Sequence, residues 1–194
     1  MGAPTPFPAE PAQAARSRAL APRLAAENSV RGGFLLGIDP GTRVTGFGAV
    51  RLSGGGTRLV GAGVIRTSSR ADAATRLGEL SMGLERLLAE LRPEVVVVER
   101  AFASRNVASA LRIGEVRGVV LAAAVRAGAR VVELPPAVAK KALVGNGQAH
   151  KTQVAAMVAR LLGLETVPEP LDATDALALA LAHHLRDRAL PIAR

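Results

Sequence analysis

From Phe34 onward, apolar runs and turn signals alternate before the pattern changes to helical periods. Phe34-Leu35-Leu36-Gly37-Ile38 is a short apolar run that stops at Asp39-Pro40-Gly41-Thr42, a strong turn sequence. Thr45 to Leu52 resumes as a strand, with glycines at 46 and 48. Ser53-Gly54-Gly55-Gly56 forms a hairpin loop, and Arg58 to Thr67 returns as a third strand. Leu77, Leu80, Leu84, Leu87, Leu88 and Leu91 then recur at spacings of three and four, which predicts an amphipathic helix over 71–91, ended by Pro93. Glu94-Val95-Val96-Val97-Val98-Glu99 is β-branched without alternation, as a central strand buried on both faces should be. Ser104 is placed to cap a long helix reaching Gly128, with Val107, Leu111, Val119 and Val120 among its apolar positions. Arg130 to Leu134 is another strand before Pro135-Pro136. Helices follow over 137–144, 151–162 and 172–186. The order predicts a mixed α/β fold: a three-strand antiparallel meander, two further strands, and helices flanking a five-stranded sheet.

Composition narrows the function. The 194 residues carry 25 Lys and Arg against 16 Asp and Glu, a formal charge of +9 that points to a polyanionic partner. The absence of cysteine excludes disulfides, thiolate metal sites and thiol catalysis. No apolar stretch approaches the roughly 18 residues of a membrane-spanning helix. No secretory signal is present, so the expected setting is cytoplasmic, with no membrane partner. Residues 1–32 are rich in Ala, Pro and Arg and read as a disordered N-terminal tail, with a basic arm touching DNA as the alternative. Residues 33–190 form one domain, and 191–194 a C-terminal tail.

Only five aspartates exist, and three stand where an acid is awkward for packing. Asp39 closes the first strand, and Glu99 closes the most apolar one. Asp172 and Asp175 open an otherwise apolar helix, and their i, i+3 spacing puts them on one face. Each has a structural alternative: an Asx-turn at Asp39, an ion pair with Arg100 or Arg105 at Glu99, an N-cap at Asp172. Taken together, acids gathered in a basic protein point to a carboxylate site for Mg2+ or Mn2+.

Gly37-Ile38-Asp39-Pro40-Gly41-Thr42-Arg43-Val44-Thr45-Gly46-Phe47-Gly48 resembles the opening strand of the RuvC-type Holliday-junction resolvases. Val98-Glu99-Arg100-Ala101-Phe102 is similar to that family's second acidic motif, and Asp172-Ala173-Thr174-Asp175-Ala176-Leu177-Ala178 to its final helix. The resemblance runs from about Phe34 to His184, in order and at family-like spacing. It implies an RNase H-like resolvase domain and a homodimer with one site per subunit. It also implies metal-dependent hydrolysis of four-way DNA junctions by paired symmetric nicks with 5′-phosphate and 3′-hydroxyl ends, in homologous recombination and DNA repair. Asp39, Glu99, Asp172 and Asp175 match the family's catalytic, metal-binding positions, with two ions per site and no other cofactor. Some members carry histidine where this chain has Asp172. Partnership with the RuvA–RuvB branch-migration complex follows from the same resemblance.

The DNA-binding expectations rest on fewer residues. Between Arg100 and Lys151 nine basic residues face only Glu115 and Glu133, and as a group they suit a phosphate-tracking surface. Lys140 and Lys151 fall at positions similar to family lysines near the scissile strand. Phe102 matches the family aromatic that stacks on an unpaired base. Arg105 and Asn106, on the loop into the next helix, are candidate base or phosphate contacts. His183 and His184 read as partners of the last helix's C-terminal dipole. The long helix from Ser104 suits both sheet packing and a dimer contact, on opposite faces. Three other readings compete. A related nuclease family acting on ribosomal RNA precursors shares the first motif, but its later motifs match less well. The Asp39-Pro40-Gly41-Thr42 turn also resembles the phosphate loop of actin-like ATPases, which need two such domains, and a non-catalytic junction binder would not need four intact acids.

Overall fold

The computed structural model describes residues 33–54, 56–100 and 106–189. Phe102 and Arg105 lie outside the described residues, as do the proposed cap Ser104 and the 1–32 and 191–194 tails. Strands β1 (Phe34–Asp39), β2 (Val44–Ser53) and β3 (Gly56–Arg66) form the meander. Helix α1 (Ala73–Leu91), strand β4 (Val95–Glu99), helix α2 (Val107–Arg126) and strand β5 (Arg130–Leu134) follow. Three helices close the chain: α3 (Pro136–Val144), α4 (Lys151–Leu161) and α5 (Leu171–Ala189). The sheet order is β3-β2-β1-β4-β5, with the meander antiparallel and β4 and β5 parallel to β1, which gives the expected mixed five-stranded sheet.

Alternation along β1 and β4 builds a core on each face. Leu35, Val95 and Val97 point to the layer of α3, α4 and α5; Leu36, Ile38, Val96 and Val98 point to α1 and α2. β1 and β4 therefore lack a polar face because helices cover both, as the apolar Val95–Val98 run predicts. The same parity carries Asp39 and Glu99 onto the α5 side. They stand one step beyond the last parallel pair, Ile38 with Val98, at a shared edge of the sheet.

Helix α5 lies unusually close to that sheet. A Cβ at Gly37 would stand 1.8 Å from the Ala176 carbonyl oxygen, and one at Gly46 would stand 2.0 Å from that of Asp172. Gly37 pairs across the strands with Gly48, and Gly46 with Asp39. The helix thus rests backbone on backbone over a lane of absent side chains, beside the first acid.

Two helix ends differ from expectation. α2 begins at Val107, and its cap is Asn106, whose side-chain oxygen accepts the Ser109 amide at 3.2 Å. α5 continues to Ala189, so His183 and His184 lie inside the helix rather than at its C-terminus. Burial lowers both imidazole pKa values, the reverse of what a helix-end dipole partner would show. Among the described residues no helix is long and apolar enough to cross a membrane.

Candidate active site

The Asp39 turn is set by a residue that the sequence reading passed over. Thr45, 1% exposed, donates its hydroxyl to the Gly41 carbonyl at 3.1 Å and accepts the Gly41 amide at 3.3 Å. The side chain of Thr45 thus closes the turn that follows Asp39. On α5, the buried Thr174 hydroxyl donates to the Pro168 carbonyl, fixing the helix start between Asp172 and Asp175. Asp172 is the second residue of that helix and lies inside its first turn, so the N-cap alternative fails.

β1, β4 and α5 bring all four carboxylates toward one cleft. Burial is the main force raising the Asp39 pKa, with the charges of Glu99, Asp175 and Asp172 adding to it, and the carboxyl is pushed up to about 7. The Glu99 carboxyl is raised too, first by burial and then by Asp175. The offsetting charge comes from Lys151, whose ammonium donates to an Asp175 carboxylate oxygen at 2.7 Å. That bond, and the nearby Asp39 and Asp172, raise the lysine's own pKa. Among the described residues no three acidic or imidazole side chains are drawn together into a finished ligating cage. The carboxylates face one another at longer range, with Lys151 at Asp175.

Lys151 owes its place to the α3–α4 loop. Its neighbour His150 donates its backbone amide to Gln153 Oε1 at 3.0 Å, starting α4 so that Lys151 is the first helical residue. Lys140, half-buried on α3, donates to the Ala149 carbonyl at 2.9 Å and ties down the same loop; its charge also eases the ionisation of Glu99. Of the two expected lysines, Lys151 contacts an acid directly, whereas Lys140 bonds the loop and acts on Glu99 through its charge. Asn106 is exposed at the start of α2, where its oxygen serves the helix cap.

The basic group from Arg100 to Lys151 does not form one surface. Arg126 pairs with Glu85 at 2.6 Å near the C-terminal end of α2, and Arg130 opens β5, at the sheet edge opposite the acids. Arg117 turns inward to the sheet rather than outward. Chain position alone does not distinguish a solvated arginine from one folded inward, so the sequence could not separate them. Glycines 37, 46 and 48 did carry a signal, because glycine inside a strand marks close approach by another backbone.

The family model for Crossover junction endodeoxyribonuclease RuvC matches residues 35–183. Proteins of that name from Chlorobaculum parvum and Halorhodospira halophila are 46% and 49% identical over 147 and 149 residues. Those matches cover 76% and 77% of this chain, and 79% and 88% of the relatives. The solved structure of Thermus thermophilus RuvC superposes with a TM-score of 0.74 at 38% identity, covering 80% of this chain and 96% of that one. A second structure of that protein, in complex with a Holliday junction substrate, gives 0.73 at 36% identity with the same coverage. The yeast mitochondrial Holliday junction resolvase shares the fold at a TM-score of 0.59 and 17% identity, over 80% of this chain and 78% of its own.

Proposed function

The chain belongs to the RuvC family of crossover junction endodeoxyribonucleases, and from that premise we propose that it resolves four-way DNA junctions by paired, symmetric phosphodiester hydrolysis. The observation that carries this reading is the convergence of Asp39, Glu99 and Asp175 from β1, β4 and α5, close enough that Asp175 opposes the ionisation of both Asp39 and Glu99. Such a cluster is unfavourable in an empty fold and becomes useful when divalent cations neutralise it. The donors are hard carboxylate oxygens, which fit Mg2+ or Mn2+ rather than a soft transition metal.

In this reading Asp39, Glu99, Asp172 and Asp175 hold two cations per site. Bound there, they supply charge neutralisation on the phosphoryl oxygens and stabilise the attacking and leaving oxygens of an in-line displacement. The chain's own residues do the rest. The Thr45-pinned turn and the glycine lane fix Asp39 against α5, so the acids meet the phosphate already oriented. Lys151 stands where its ammonium can pair with a phosphate oxygen as negative charge develops, and Lys140 holds the loop that places it. Hydrolysis with departure of the 3′-oxygen leaves 5′-phosphate and 3′-hydroxyl nicks that a ligase can seal. Phe102, Arg105 and Asn106 are the proposed contacts to the bases and backbone at the crossover.

Paired cuts follow from a homodimer, because a two-fold axis presents one site to each of two like-polarity strands. Helix α2 carries the surface for it. Val107, Leu111 and Val125 are 71%, 65% and 65% exposed, and Gly114 and Gly118 open onto free space. At about 100° per residue these five fall on one stripe, opposite the buried Val116, Val120 and Ala123. The proposed setting is the cytoplasm, in recombination and repair, with RuvA–RuvB as the branch-migration partner.

The test is a mobile, end-labelled four-way junction incubated with the protein in Mg2+, in Mn2+ and in EDTA. Paired nicks that ligase reseals, lost in Asp175→Asn while junction binding persists, are the expected result. Tight junction binding without cutting in either metal would overturn the nuclease reading and leave an architectural junction binder.

A further inference from the structure

Arg117 has no part in the site as described, yet among the described residues it is the most enclosed ion-pairing cation, with its side chain 13% exposed. Arginine is rarely so covered unless its fork of donors is used. One guanidinium N–H donates to the backbone carbonyl of Glu99, and another to the carboxylate of Glu133. Glu133 lies on β5 opposite Val98, and the neighbouring pair is Leu134 with Glu99. A single side chain from α2 therefore grips the ends of two adjacent strands at the place where one of them delivers an acid to the cleft.

Adhesion of α2 to the sheet does not account for this. Val116, Val120, Ala123 and Ala124 already bury the helix against the core, and a covered guanidinium is a costly way to add attachment. Its acceptors are specific: the main chain of the residue whose carboxylate faces Asp39 and Asp175, and the one carboxylate that β5 offers beside it. On the other side the Arg100 amide donates to the Leu134 carbonyl at 3.0 Å, so the backbone at Glu99 is held from two directions.

We infer that Arg117, braced by Glu133, is a positioning residue for Glu99: it fixes the C-terminal end of β4 so that the Glu99 carboxylate is presented to divalent cations in the cleft. This rests on the metal-dependent reading of the site given above. It also ties the acid to a helix whose opposite flank carries the proposed contact with a second copy, so the clamp joins that surface to the cleft.

The test uses the full chain with Arg117→Met, Arg117→Lys, Glu133→Gln and the Met/Gln double variant. Mn2+ binding is measured by calorimetry without DNA, junction affinity in EDTA, and exchange of the Arg100 amide by mass spectrometry. Removing an outer partner of a metal ligand weakens metal affinity roughly 10–100-fold, so Arg117→Met should weaken Mn2+ binding about tenfold or more. The same variant should speed Arg100 exchange and leave junction affinity within about threefold. Arg117→Lys, which can reach one acceptor but not both, should recover part of the metal affinity. The double variant should bind Mn2+ no more weakly than Arg117→Met, because the two residues act as one unit. Unchanged Mn2+ binding in Arg117→Met beside a wild type that binds the metal would overturn the positioning role alone. Junction affinity falling in step with cleavage would also overturn it, by making Arg117 a phosphate contact. A wild type that binds no divalent metal would instead overturn the reading of the site on which this one rests.

Discussion

Replacing Asp39 with asparagine should abolish cleavage and, in the absence of metal, make the protein more stable. The carboxyl rises from 3.8 to about 7 on folding, chiefly through burial and then through Glu99 and Asp175. Three pKa units at about 1.36 kcal/mol each make ionised Asp39 cost roughly 4 kcal/mol in the metal-free fold. The folded pKa lies above the unfolded one, so between about pH 4 and 7 the folded chain holds more protons and its stability falls as pH rises. Asparagine keeps the shape and removes the charge. Its advantage should therefore be greatest near pH 8, at most about 4 kcal/mol, and shrink to under about 2 kcal/mol at pH 5. Movement of Lys151 and entry of water trim the gain to the order of 1–4 kcal/mol, which is a few to about ten degrees in melting temperature for a chain of this size. The assay is urea unfolding in EDTA at pH 5, 6.5 and 8, repeated in Mg2+. Added metal should stabilise the wild type at pH 8, more weakly at pH 6 where protons compete for the carboxylate, and the variant scarcely at any pH. A variant no more stable than wild type at pH 8, or an advantage that does not grow with pH, would refute the reasoning.

Three further outcomes follow from the same geometry. Lys151→Met removes the cation at Asp175; cleavage should fall roughly tenfold or more at saturating metal, with junction affinity in EDTA nearly unchanged, as gel shift and single-turnover rates would show. Gly37→Ala places a methyl 1.8 Å from the Ala176 carbonyl oxygen, so α5 must move; a loss of about 3 kcal/mol in stability and about a hundredfold in rate is expected from chemical unfolding and kinetics. Leu111→Glu, on the exposed stripe of α2, should give a folded monomer in sedimentation that binds junctions weakly and no longer makes coordinated paired cuts.

The strands and helices were legible in the sequence because their patterns are strong. The Val95–Val98 run, the leucine period before Pro93 and the Ser53–Gly56 hairpin each admit one structure, and strand and helix ends moved by only one to three residues. The four acids were legible because acids that close apolar elements are conspicuous, and because their motifs resemble a known family in order. What was not legible depends on contacts far apart along the chain. The cap of α2 is the exception, a local matter: both Ser104 and Asn106 are good capping residues, and it is Asn106 that accepts the Ser109 amide. Arg117 looked like any other member of a basic stretch, since its acceptors, Glu99 and Glu133, lie 18 residues before it and 16 residues after it along the chain. His183 and His184 looked terminal because the apolar pattern fades there, yet α5 continues as a more polar helix to Ala189.

The seating of α5 on the glycine lane sets a limit on how the site can change over time. Helices held apart by interlocking side chains drift by ångströms as those side chains are exchanged. Here, at Gly37 and Gly46, the spacing is set by the close approach of two peptide backbones. The cores beneath α1, α3 and α4 are thus free to exchange Leu, Val and Ala while the height of Asp172 and Asp175 above Asp39 stays constant. Precision at the carboxylates and tolerance elsewhere are compatible in this fold because, beside Asp39, the gauge between helix and sheet is backbone against backbone at Gly37 and Gly46.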